Sequence, residues 1–595
     1  MITTLKKNIN EVYIVALIIA TLLPNFNALD NIGIRFFVVS ILSILFLFNR
    51  ILIKNFLFQK SFLFPILSLL IFSIHSLITS TNTSESVIVI SQFLILIFSF
   101  YNIVNAFKQI KNPILFVSRV FLASIFIESI YVFVDYFSSE SFTGISMNKN
   151  ISAYSILIKL PFVFLCKIKN ISNGKLIKLI ELASIIAIFF LQSRSAILVL
   201  LLIYSIIFYF KKFRKLYISS YIIILLIFLV TLSFPNLIRD QKQFNFNDAL
   251  NDTSLNYRLN YYDTASSLFF EKPLLGHGLG SWKYKSLRDY NLIEQDSIHI
   301  PYYVHNDFLQ VLVENGIIGF SLFICLFYYY ILKSIRLFKS DETFIFTGFA
   351  ILIYLFDSLF NFPFYRIQVL IPMILVLSLY HYNSKSFTNI YKTAIMFLFA
   401  LLIASTVSFK KHKSLIIEDT LMSDYSNNLF TLNAEKLKFI NYKIPNLTSK
   451  TVPVSTYISR YYINSNELEF AEELVDYGLS ANPNDIMSKE LKLKLLLGRG
   501  SVLEALDLSK ELFLKNPNSQ TYAEIYFSIL SSLFQVNDFI EIFIADLSSS
   551  VDVHKIFYKY YSSLPNLDVN HLKNNLQISK EMFPNEIYFK ELLDE

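Results

Sequence analysis

The sequence predicts an all-α protein with two parts: a polytopic membrane helix bundle of about 12 to 13 transmembrane helices, followed by a soluble α-solenoid. The first observation is composition. Of 595 residues, 54% are hydrophobic and 60 are Phe, and the mean hydropathy is +0.50, which lies outside the range of soluble globular proteins. The second is a series of apolar segments separated by short basic loops. The third is a polar, helical tail that contains a repeat.

Apolar segments of membrane-spanning length predict the bundle. A hydrocarbon core of roughly 30 Å needs about 20 apolar residues per helix. Thirteen segments qualify by composition, and because several are short, we expect 12 to 13 spans. These segments are 12–29, 34–49, 61–79, 87–106, 120–137, 152–166, 176–192, 196–210, 217–234, 308–332, 343–361, 366–382 and 391–408.

The basic residues of the loops set the expected orientation. With the amino terminus in the cytoplasm, the loops on that side carry twenty-one Lys and Arg residues, and the opposite short loops carry four. Because Lys and Arg favour cytoplasmic loops, the loop 235–307 and everything after residue 408 are expected outside the cytoplasm. The cluster Lys410, Lys411 and Lys413 is a contrary signal for the tail.

The polar tail contains a repeat with a period of 34 residues. ELEFAEELVDYGLSANPND (467–485) aligns with VLEALDLSKELFLKNPNS (502–519), so that Ala471 matches Ala505 and both units end in Asn-Pro. This is the period of a tetratricopeptide repeat, in which a small Ala lets paired helices approach closely. Weaker neighbouring units are suggested by three further Pro-Asn pairs, at Pro445, Pro565 and Pro584.

These patterns divide the chain into a membrane domain, residues 1–408, which includes the external loop 235–307, and a tetratricopeptide-like domain, residues 409–595. Solenoids present concave surfaces, so the tail is expected to bind a protein partner. A helical domain with a purely structural role is the alternative.

Several classes of protein are disfavoured by what the sequence lacks. The P-loop pattern G-x-x-x-x-G-K-[ST] and the zinc pattern H-E-x-x-H do not occur, and the groups Asp296 to His299 and His305 to Asp307 are too sparse for a metal site. We therefore expect no metal and no cofactor. The basic residues lie in short loops between apolar segments, which predicts membrane topology rather than nucleic-acid binding.

The chemistry is expected on the long loop and the helix that follows it. The loop contains NYR at 256–258 and PLLGHGLG at 273–280, and HNDFLQVLVENGIIG at 305–319 enters an apolar helix. Charged and polar groups at a membrane helix are costly and mark functional sites, so His305 and Glu314 need an explanation.

These motifs resemble the O-antigen ligase and polymerase family. LQSRSA at 191–196 and MNKN at 147–150 are also similar to it, and the resemblance covers roughly residues 140 to 380. The resemblance implies transfer of a glycan from undecaprenyl diphosphate on the periplasmic side of a bacterial inner membrane. It makes the loop 235–307 a periplasmic loop and the site periplasmic.

Two arginines are candidates for binding the donor diphosphate. Arginine keeps its charge and offers a planar fork that binds phosphate through two parallel hydrogen bonds. The resemblance implies that Arg194 and Arg258 hold the leaving diphosphate near the outer lipid headgroups. Arg194 could instead be a headgroup anchor, and Arg258 a surface residue of a helical loop.

His305 is the candidate catalytic base. We expect it in the first turn of its helix, where the positive end of the helix dipole disfavours imidazolium, so that a neutral ring can accept a proton from an attacking hydroxyl. The alternative is an interfacial hydrogen-bonding residue. Helical periodicity places His305 on one stripe with Leu309, Leu312, Gly316 and Gly319, which would let another helix pack closely.

The remaining predicted residues have supporting roles. Asn306 and Gly316 belong to the same motif, and Glu314 faces away from the stripe and is expected to tie helices together. Gly276, Gly278 and Gly280 are expected to shape a turn. Trp282, the single tryptophan of the chain, is expected to anchor at the membrane interface.

The predicted function is an O-antigen ligase-like glycosyltransferase whose acceptor is the hydroxyl of a glycolipid, such as lipid A core, or of a glycoprotein. A polysaccharide polymerase and a protein O-oligosaccharyltransferase of the same family are alternatives. A polysaccharide flippase or transporter is the alternative outside the enzyme class, but it would place charges near the bilayer midplane on broken helices. The sequence places them at the external edge and on the long external loop.

Overall fold

The computed structural model describes residues 2–60, 63–138, 142–169, 174–233, 253–286, 302–384, 386–565 and 569–594. The chain forms two compact units. Unit 1 comprises Met1–Lys283 and Pro301–Thr448, and unit 2 comprises Tyr284–Ile300 and Ser449–Glu595. This division falls later in the chain than the change of composition at residue 409, because one long helix, Ala394–Ser426, runs unbroken through that point.

The part of the chain up to residue 448 is dominated by helices. They are α1 (Ile2–Thr21), α2 (Ile32–Leu52), α3 (Leu63–Thr79), α4 (Thr83–Phe107), α5 (Pro113–Ser138), α6 (Lys149–Ile168), α7 (Gly174–Phe190), α8 (Arg194–Tyr209), α9 (Lys211–Ser233), α10 (Thr253–Glu271), α11 (Trp282–Lys285), α12 (Asp307–Phe338), α13 (Phe344–Phe360), α14 (Ile367–Ser378), α15 (Ala394–Ser426) and α16 (Ala434–Lys438). A 3-10 helix, Pro363–Tyr365, joins α13 to α14.

These helices follow the apolar pattern of the sequence. Each of the thirteen predicted spans overlaps one of α1 to α9 or α12 to α15. Within the described residues, six helices (α2, α4, α5, α6, α12 and α15) are long and apolar enough to cross a membrane, and shorter apolar helices accompany them. The all-α multi-pass helix bundle is therefore confirmed in outline.

The first span is displaced from its predicted position. It was expected at 12–29, but α1 ends at Thr21. Pro24 lacks the N–H that a helix interior requires, and Phe26 and Asn27 both have positive φ. These residues form the turn that leads into α2.

Unit 1 has two recognisable ends. α2 and α15 run antiparallel, with Gly33 against His412 and the Ser40 hydroxyl 2.8 Å from the Ser405 hydroxyl. At one end, which we call the sheet end, two short strands, β1 (Leu57–Gln59) and β2 (Phe387–Asn389), pair antiparallel with Phe58 opposite Thr388.

The opposite end, which we call the site end, gathers the turns that follow α1, α3, α5 and α13. Arg35 at the start of α2 donates to the Ile145 carbonyl at 2.7 Å, and Arg366 at the start of α14 pairs with Asp30. Asn82 and Asn446 exchange side-chain hydrogen bonds at 3.1 Å. The last residues of unit 1 therefore lie at the site end.

Unit 2 is built from short helices that pack on their sequence neighbours. They are α17 (Val454–Asn464), α18 (Leu468–Ala481), α19 (Ile486–Gly498), α20 (Val502–Lys515), α21 (Gln520–Ser532), α22 (Val536–Ile540), α23 (Ile544–Leu547), α24 (Val551–Tyr561), α25 (Val569–Met582) and α26 (Ile587–Asp594). The helices that begin at Leu468, Val502 and Val536 start 34 residues apart. Ala471 and Ala505 are fully buried, as close packing of paired helices requires.

Candidate active site

The start of α12 is fixed by its cap. The Asn306 side-chain oxygen accepts hydrogen bonds from the backbone N–H groups of Phe308 at 3.0 Å and Leu309 at 3.2 Å. Asparagine is a favoured N-cap because its side chain satisfies N–H groups that have no partner within the helix. Asn306 therefore determines that the helix begins at Asp307.

His305 precedes this cap and lies outside the helix. The prediction that it lies in the first turn of the helix, on one stripe with Leu309 and Leu312, is wrong. The next residue, Asn306, is the N-cap, so His305 lies before the helix begins. The φ angle of His305 is +58°, a left-handed conformation that costs a non-glycine residue roughly 1–2 kcal/mol. Such strain is typical of functional sites.

Aromatic rings from two separate segments flank the partly exposed imidazole of His305, and a third ring supports one of them. The Phe362 ring meets it edge to face with 4.9 Å between ring centroids. Tyr261 of α10 lies nearly parallel to it at 6.4 Å. Tyr303 stacks on Phe362 at 4.2 Å. These contacts hold the imidazole at the site end, at the mouth of α12.

Gly316 interrupts α12. Its φ of +62° and ψ of −169° are not helical, and this combination is essentially restricted to glycine. A Cβ atom there would lie 2.3 Å from the Leu274 carbonyl oxygen. The predicted close approach at Gly316 is therefore made by the turn around Leu274 and not by a helix.

The chain that fills this break is the segment 273–280, which we call the glycine turn. Gly276, Gly278 and Gly280 have φ values of +72°, +97° and +78°, as the expected turn requires. Four backbone hydrogen bonds join the turn to α12: His277 N–H to Val313 (2.9 Å), Gly278 N–H to Glu314 (2.8 Å), Ile317 N–H to Pro273 (2.8 Å) and Ile318 N–H to Leu274 (3.3 Å). The groups that the break leaves unpaired are thereby satisfied.

We call the contact between α12 and the glycine turn the junction. The side chain of Glu314, which is 2% exposed, also contributes to it. Its carboxylate accepts the backbone N–H groups of Gly280 and Trp282. It also accepts the Gln310 amide at 3.3 Å and the Tyr365 hydroxyl at 3.4 Å. Glu314 therefore ties α12 to the glycine turn and to the 3-10 helix.

Asp307 fixes the 3-10 helix from the other side. One oxygen of the buried carboxylate accepts the Phe364 N–H at 3.0 Å, and the Gln310 amide donates to the Tyr365 hydroxyl at 2.9 Å. A small cavity between these segments is lined by Asp307, Gln310, Glu314, Tyr365 and their apolar neighbours.

Arg258 lies on α10, which leads directly into the glycine turn. It is three residues before Tyr261, so both side chains lie on one face of the helix, about 4.5 Å apart along the axis. Tyr261 contacts His305. The partly exposed guanidinium makes no hydrogen bond or ion pair to another described residue. The structure thus places Arg258 about one turn from the His305 contact.

Arg194 belongs to a different turn at the site end. It is the first residue of α8, its side chain is exposed, and Gln192 before it has a φ of +54°. Arg194 therefore follows directly after a tight turn. Four of the six predicted residues lie together and adjoin the helix that carries Arg258; these are His305, Asn306, Glu314 and Gly316. The sixth, Arg194, lies at the same end of unit 1 but in a different turn.

Two other sequence expectations have different outcomes. Trp282 is completely buried, so the prediction of an interfacial anchor is wrong; its backbone N–H binds Glu314. His299 lies outside the described residues. His277 of the glycine turn is buried, and its ring bonds to the Leu268 carbonyl at 2.8 Å.

Several residues of this site were not predicted from the sequence. Asp307, Gln310, Tyr261, Phe362 and Tyr365 all contribute contacts. Gln310 and Glu314 are four residues apart, a spacing that predicts a shared helix face. The partners Phe362 and Tyr365 carried no local signal, because they are about fifty residues further along the chain.

Buried charges inside the bundle were also missed. Lys159 of α6 pairs with Glu128 of α5, and both side chains are at most 1% exposed. Ser124 accepts a further hydrogen bond from Lys159 at 3.0 Å. The prediction placed the charges at the external edge, and this buried pair shows that charges also lie inside the bundle. Each charge of this pair is neutralised by the other, as buried charges require.

The assembly is suited to activating a hydroxyl beside a bound anion. An imidazole can accept a proton, and an arginine one helical turn from the His305 contact can stabilise developing negative charge. The described residues contain no group of three or more His, Cys, Asp or Glu side chains that could hold a metal ion.

A comparison with known protein families agrees with the resemblance that the sequence motifs indicate. Residues 179–324 match the model of the O-antigen ligase family. This segment covers less than half of the chain. It includes all six predicted site residues, which are Arg194, Arg258, His305, Asn306, Glu314 and Gly316.

Short stretches are also similar to proteins named as polysaccharide ligases. The chain is 38% identical over 78 residues to one from Rickettsia conorii (13% of this chain, 19% of that protein) and 36% identical over 78 residues to one from Rickettsia typhi (13% and 19%). One from Rickettsia felis is 40% identical over 74 residues (12% and 18%). The matches span about a fifth of these relatives. Together with the family match, they show that part of the chain is similar to proteins of the O-antigen ligase family and to proteins named as polysaccharide ligases.

Proposed function

We propose that the protein is an O-antigen ligase-like glycosyltransferase that moves a glycan from undecaprenyl diphosphate to an acceptor hydroxyl without a metal. The observation that carries this proposal is the junction between α12 and the glycine turn. It anchors α10, which bears Arg258, to α12 through four backbone hydrogen bonds. Tyr261 of α10 in turn contacts His305 at the mouth of α12, so the proposed base and the proposed phosphate-binding cation lie on connected segments.

In the proposed step, the acceptor oxygen attacks the anomeric carbon of the donor glycan. A new glycosidic C–O bond forms, and the C–O bond to the diphosphate breaks. The hydroxyl proton passes to the His305 imidazole. The diphosphate leaves with the bonding electrons, and Arg258 and Arg194 stabilise its negative charge.

We propose that the site end is periplasmic in a bacterial inner membrane. The loops rich in Lys and Arg, which favour the cytoplasm, belong to the sheet end; Lys108, for example, donates there to the Ser384 carbonyl at 3.0 Å. Lys411 points into the protein and is 7% exposed. It therefore does not serve as an anchor to cytoplasmic lipid headgroups. The cluster Lys410, Lys411 and Lys413 is then a weaker reason to place the tail in the cytoplasm.

Unit 2 is proposed to be a tetratricopeptide-like solenoid that selects the acceptor by docking a protein partner. The 34-residue spacing of its helices supports this assignment. Lipid A core is the proposed acceptor, with a growing polysaccharide or a protein hydroxyl as the alternatives. Incubation of the purified protein with a lipid-linked glycan donor and each acceptor tests the function; no transfer to any of them contradicts it.

The transporter alternative draws support from the Glu128–Lys159 pair, because charges near the middle of membrane helices often mark transport pathways. That pair is enclosed by α5 and α6 and does not line the cavity of unit 1 described above. Donor consumption with release of diphosphate distinguishes a transferase from a transporter, which leaves its substrate intact.

Lysine is expected to replace either arginine poorly. Arg258→Lys and Arg194→Lys keep the positive charge but lose the planar fork. Losing one charge-assisted hydrogen bond costs about 1.5–3 kcal/mol, or roughly tenfold to hundredfold in kcat/KM. Transfer rates with varied donor concentration measure the effect, and Arg119→Lys, at an exposed sheet-end position, is the matched control. Unchanged kcat/KM in both variants would remove the two arginines from the site.

The carboxy-terminal unit is expected to be accessible from the periplasm. Cys166 and Cys325 are the only cysteines, so a chain without them can carry a single cysteine at the exposed position Lys510. This Lys510→Cys variant should react with a membrane-impermeant maleimide in intact spheroplasts. Reaction only after lysis would place unit 2 in the cytoplasm.

A further inference from the structure

Four buried basic side chains gather at the site end, apart from Arg194 and Arg258. Arg35 is 0% exposed, Lys283 6%, and Arg366 and Lys411 7% each. They come from four elements: α2, α11, the start of α14, and α15. Arg366 interacts electrostatically with both Arg35 and Lys411. We call Arg35, Arg366 and Lys411 the basic cluster.

The acids near the basic cluster are already engaged. Asp30 accepts Arg366 Nη1 at 3.0 and 2.8 Å through its two oxygens, and Glu85 pairs with Lys283. Glu418 is seven residues beyond Lys411 on α15, which is about 10 Å along the helix axis. Arg35 donates to the carbonyls of Leu23 and Ile145 and, through Nη2, to the Asn31 side-chain oxygen at 3.2 Å.

Several donors of the basic cluster therefore remain unsatisfied within the part of the chain that the structure describes. Arg35 Nη1 and Arg366 Nε have no acceptor there. Lys411 makes no ion pair to a described residue, although the charges of Asp30 and Glu85 act on it. Buried donors without acceptors are costly. A bound anion with several oxygens would satisfy these donors.

The basic cluster is adjacent to the candidate base. The Arg366 guanidinium lies over the Phe362 ring, 4.9 Å from its centroid, and the edge-to-face partner of that ring is His305. The Asp30 side chain is 25% exposed, so the ion pair that borders the basic cluster is reachable from outside the bundle.

We propose that Arg366 and Lys411, with the charge of Arg35 behind them, bind a phosphate group of the acceptor lipid. This assignment rests on the proposed function for the identity of the acceptor. Phosphate suits the site because a guanidinium and an ammonium both bind its oxygens by charge-assisted hydrogen bonds. The acceptor would then be a phosphorylated glycolipid, held with its hydroxyl near His305 while Arg194 and Arg258 hold the donor.

Binding can be measured without transfer, so failure of this inference is distinguishable from failure of the proposed function. Trp282 is the single tryptophan, is buried, and adjoins Lys283, so its fluorescence reports on this region. The full-length protein is titrated with inorganic phosphate, and in phosphatidylcholine nanodiscs that contain phosphatidic acid or phosphatidylglycerol. Only phosphatidic acid carries a phosphomonoester headgroup. His305→Ala, included as a transfer-deficient form, should bind like the wild type.

Lys411→Gln should weaken binding about tenfold or more, while Lys410→Gln, the exposed neighbour on the same helix, should bind like the wild type. A response to both inorganic phosphate and phosphatidic acid supports a general phosphate site. A response to phosphatidic acid alone supports a site for a lipid headgroup. Equal binding by both lysine variants, or no response to any probe, overturns the proposal.

Discussion

His305→Ala is expected to abolish glycan transfer while the protein remains folded. A general base contributes roughly 10² to 10⁴-fold in rate, enough to remove detectable transfer in cells. The imidazole is partly exposed and lies outside α12, so its removal leaves no large cavity in the bundle. Thermal unfolding in detergent should stay near that of the wild type, and donor binding should be retained.

The backbone at His305 dictates the best control for this prediction. With φ at +58°, asparagine is tolerated better than most residues, so His305→Asn keeps the local conformation without a base that titrates near neutral pH. His305→Gln retains some hydrogen bonding. Near-normal transfer by either variant would show that the histidine only orients the acceptor, and normal transfer by His305→Ala would move the site elsewhere.

The membrane helices could be predicted because their signal is local. Each span needs only a run of apolar residues, and the thirteen predicted segments all overlap helices of the structure. The ends were less predictable: α1 stops at Thr21 because of the turn chemistry around Pro24. The N-cap at Asn306 is also a local feature. Because His305 lies before this cap, it is outside the first helical turn, where the helix dipole was expected to disfavour the imidazolium form.

The junction at Gly316 could not be predicted from periodicity. A glycine on an apolar helix face is compatible with close helix packing, and the sequence alone does not distinguish this from a break. The break is stable only because the glycine turn, about forty residues earlier, supplies matching backbone groups. Glu314 similarly needs donors from Gly280, Trp282 and Tyr365.

The pairing of buried charges also could not be predicted from the local sequence. Lys159 and Glu128 stand in separate spans, and nothing in either segment indicates that their side chains meet. The same applies to Trp282, whose enrichment at interfaces favours an anchor, although its neighbours Gly280 and Lys283 are bound to buried acids. In each case the deciding contact is a long-range polar pair inside an apolar bundle.

Gly316→Ala is expected to disrupt the junction and with it the site. The backbone conformation at Gly316 costs a residue with a Cβ atom of order 1–3 kcal/mol. The added carbon would also lie 2.3 Å from the Leu274 carbonyl oxygen, an approach that forces the glycine turn away from α12. We expect a lower midpoint of thermal unfolding and loss of transfer, since the turn connects α10 and Arg258 to the His305 segment.

Gly348→Ala is the matched control for this change. Gly348 lies within α13, where alanine suits the helix better than glycine, and a Cβ atom there would meet only the Ser334 side chain, at 3.3 Å. It should leave the unfolding midpoint and the transfer rate near wild type. If Gly316→Ala also retains both, α12 can form without the break, and the junction would not be what positions Arg258 and His305.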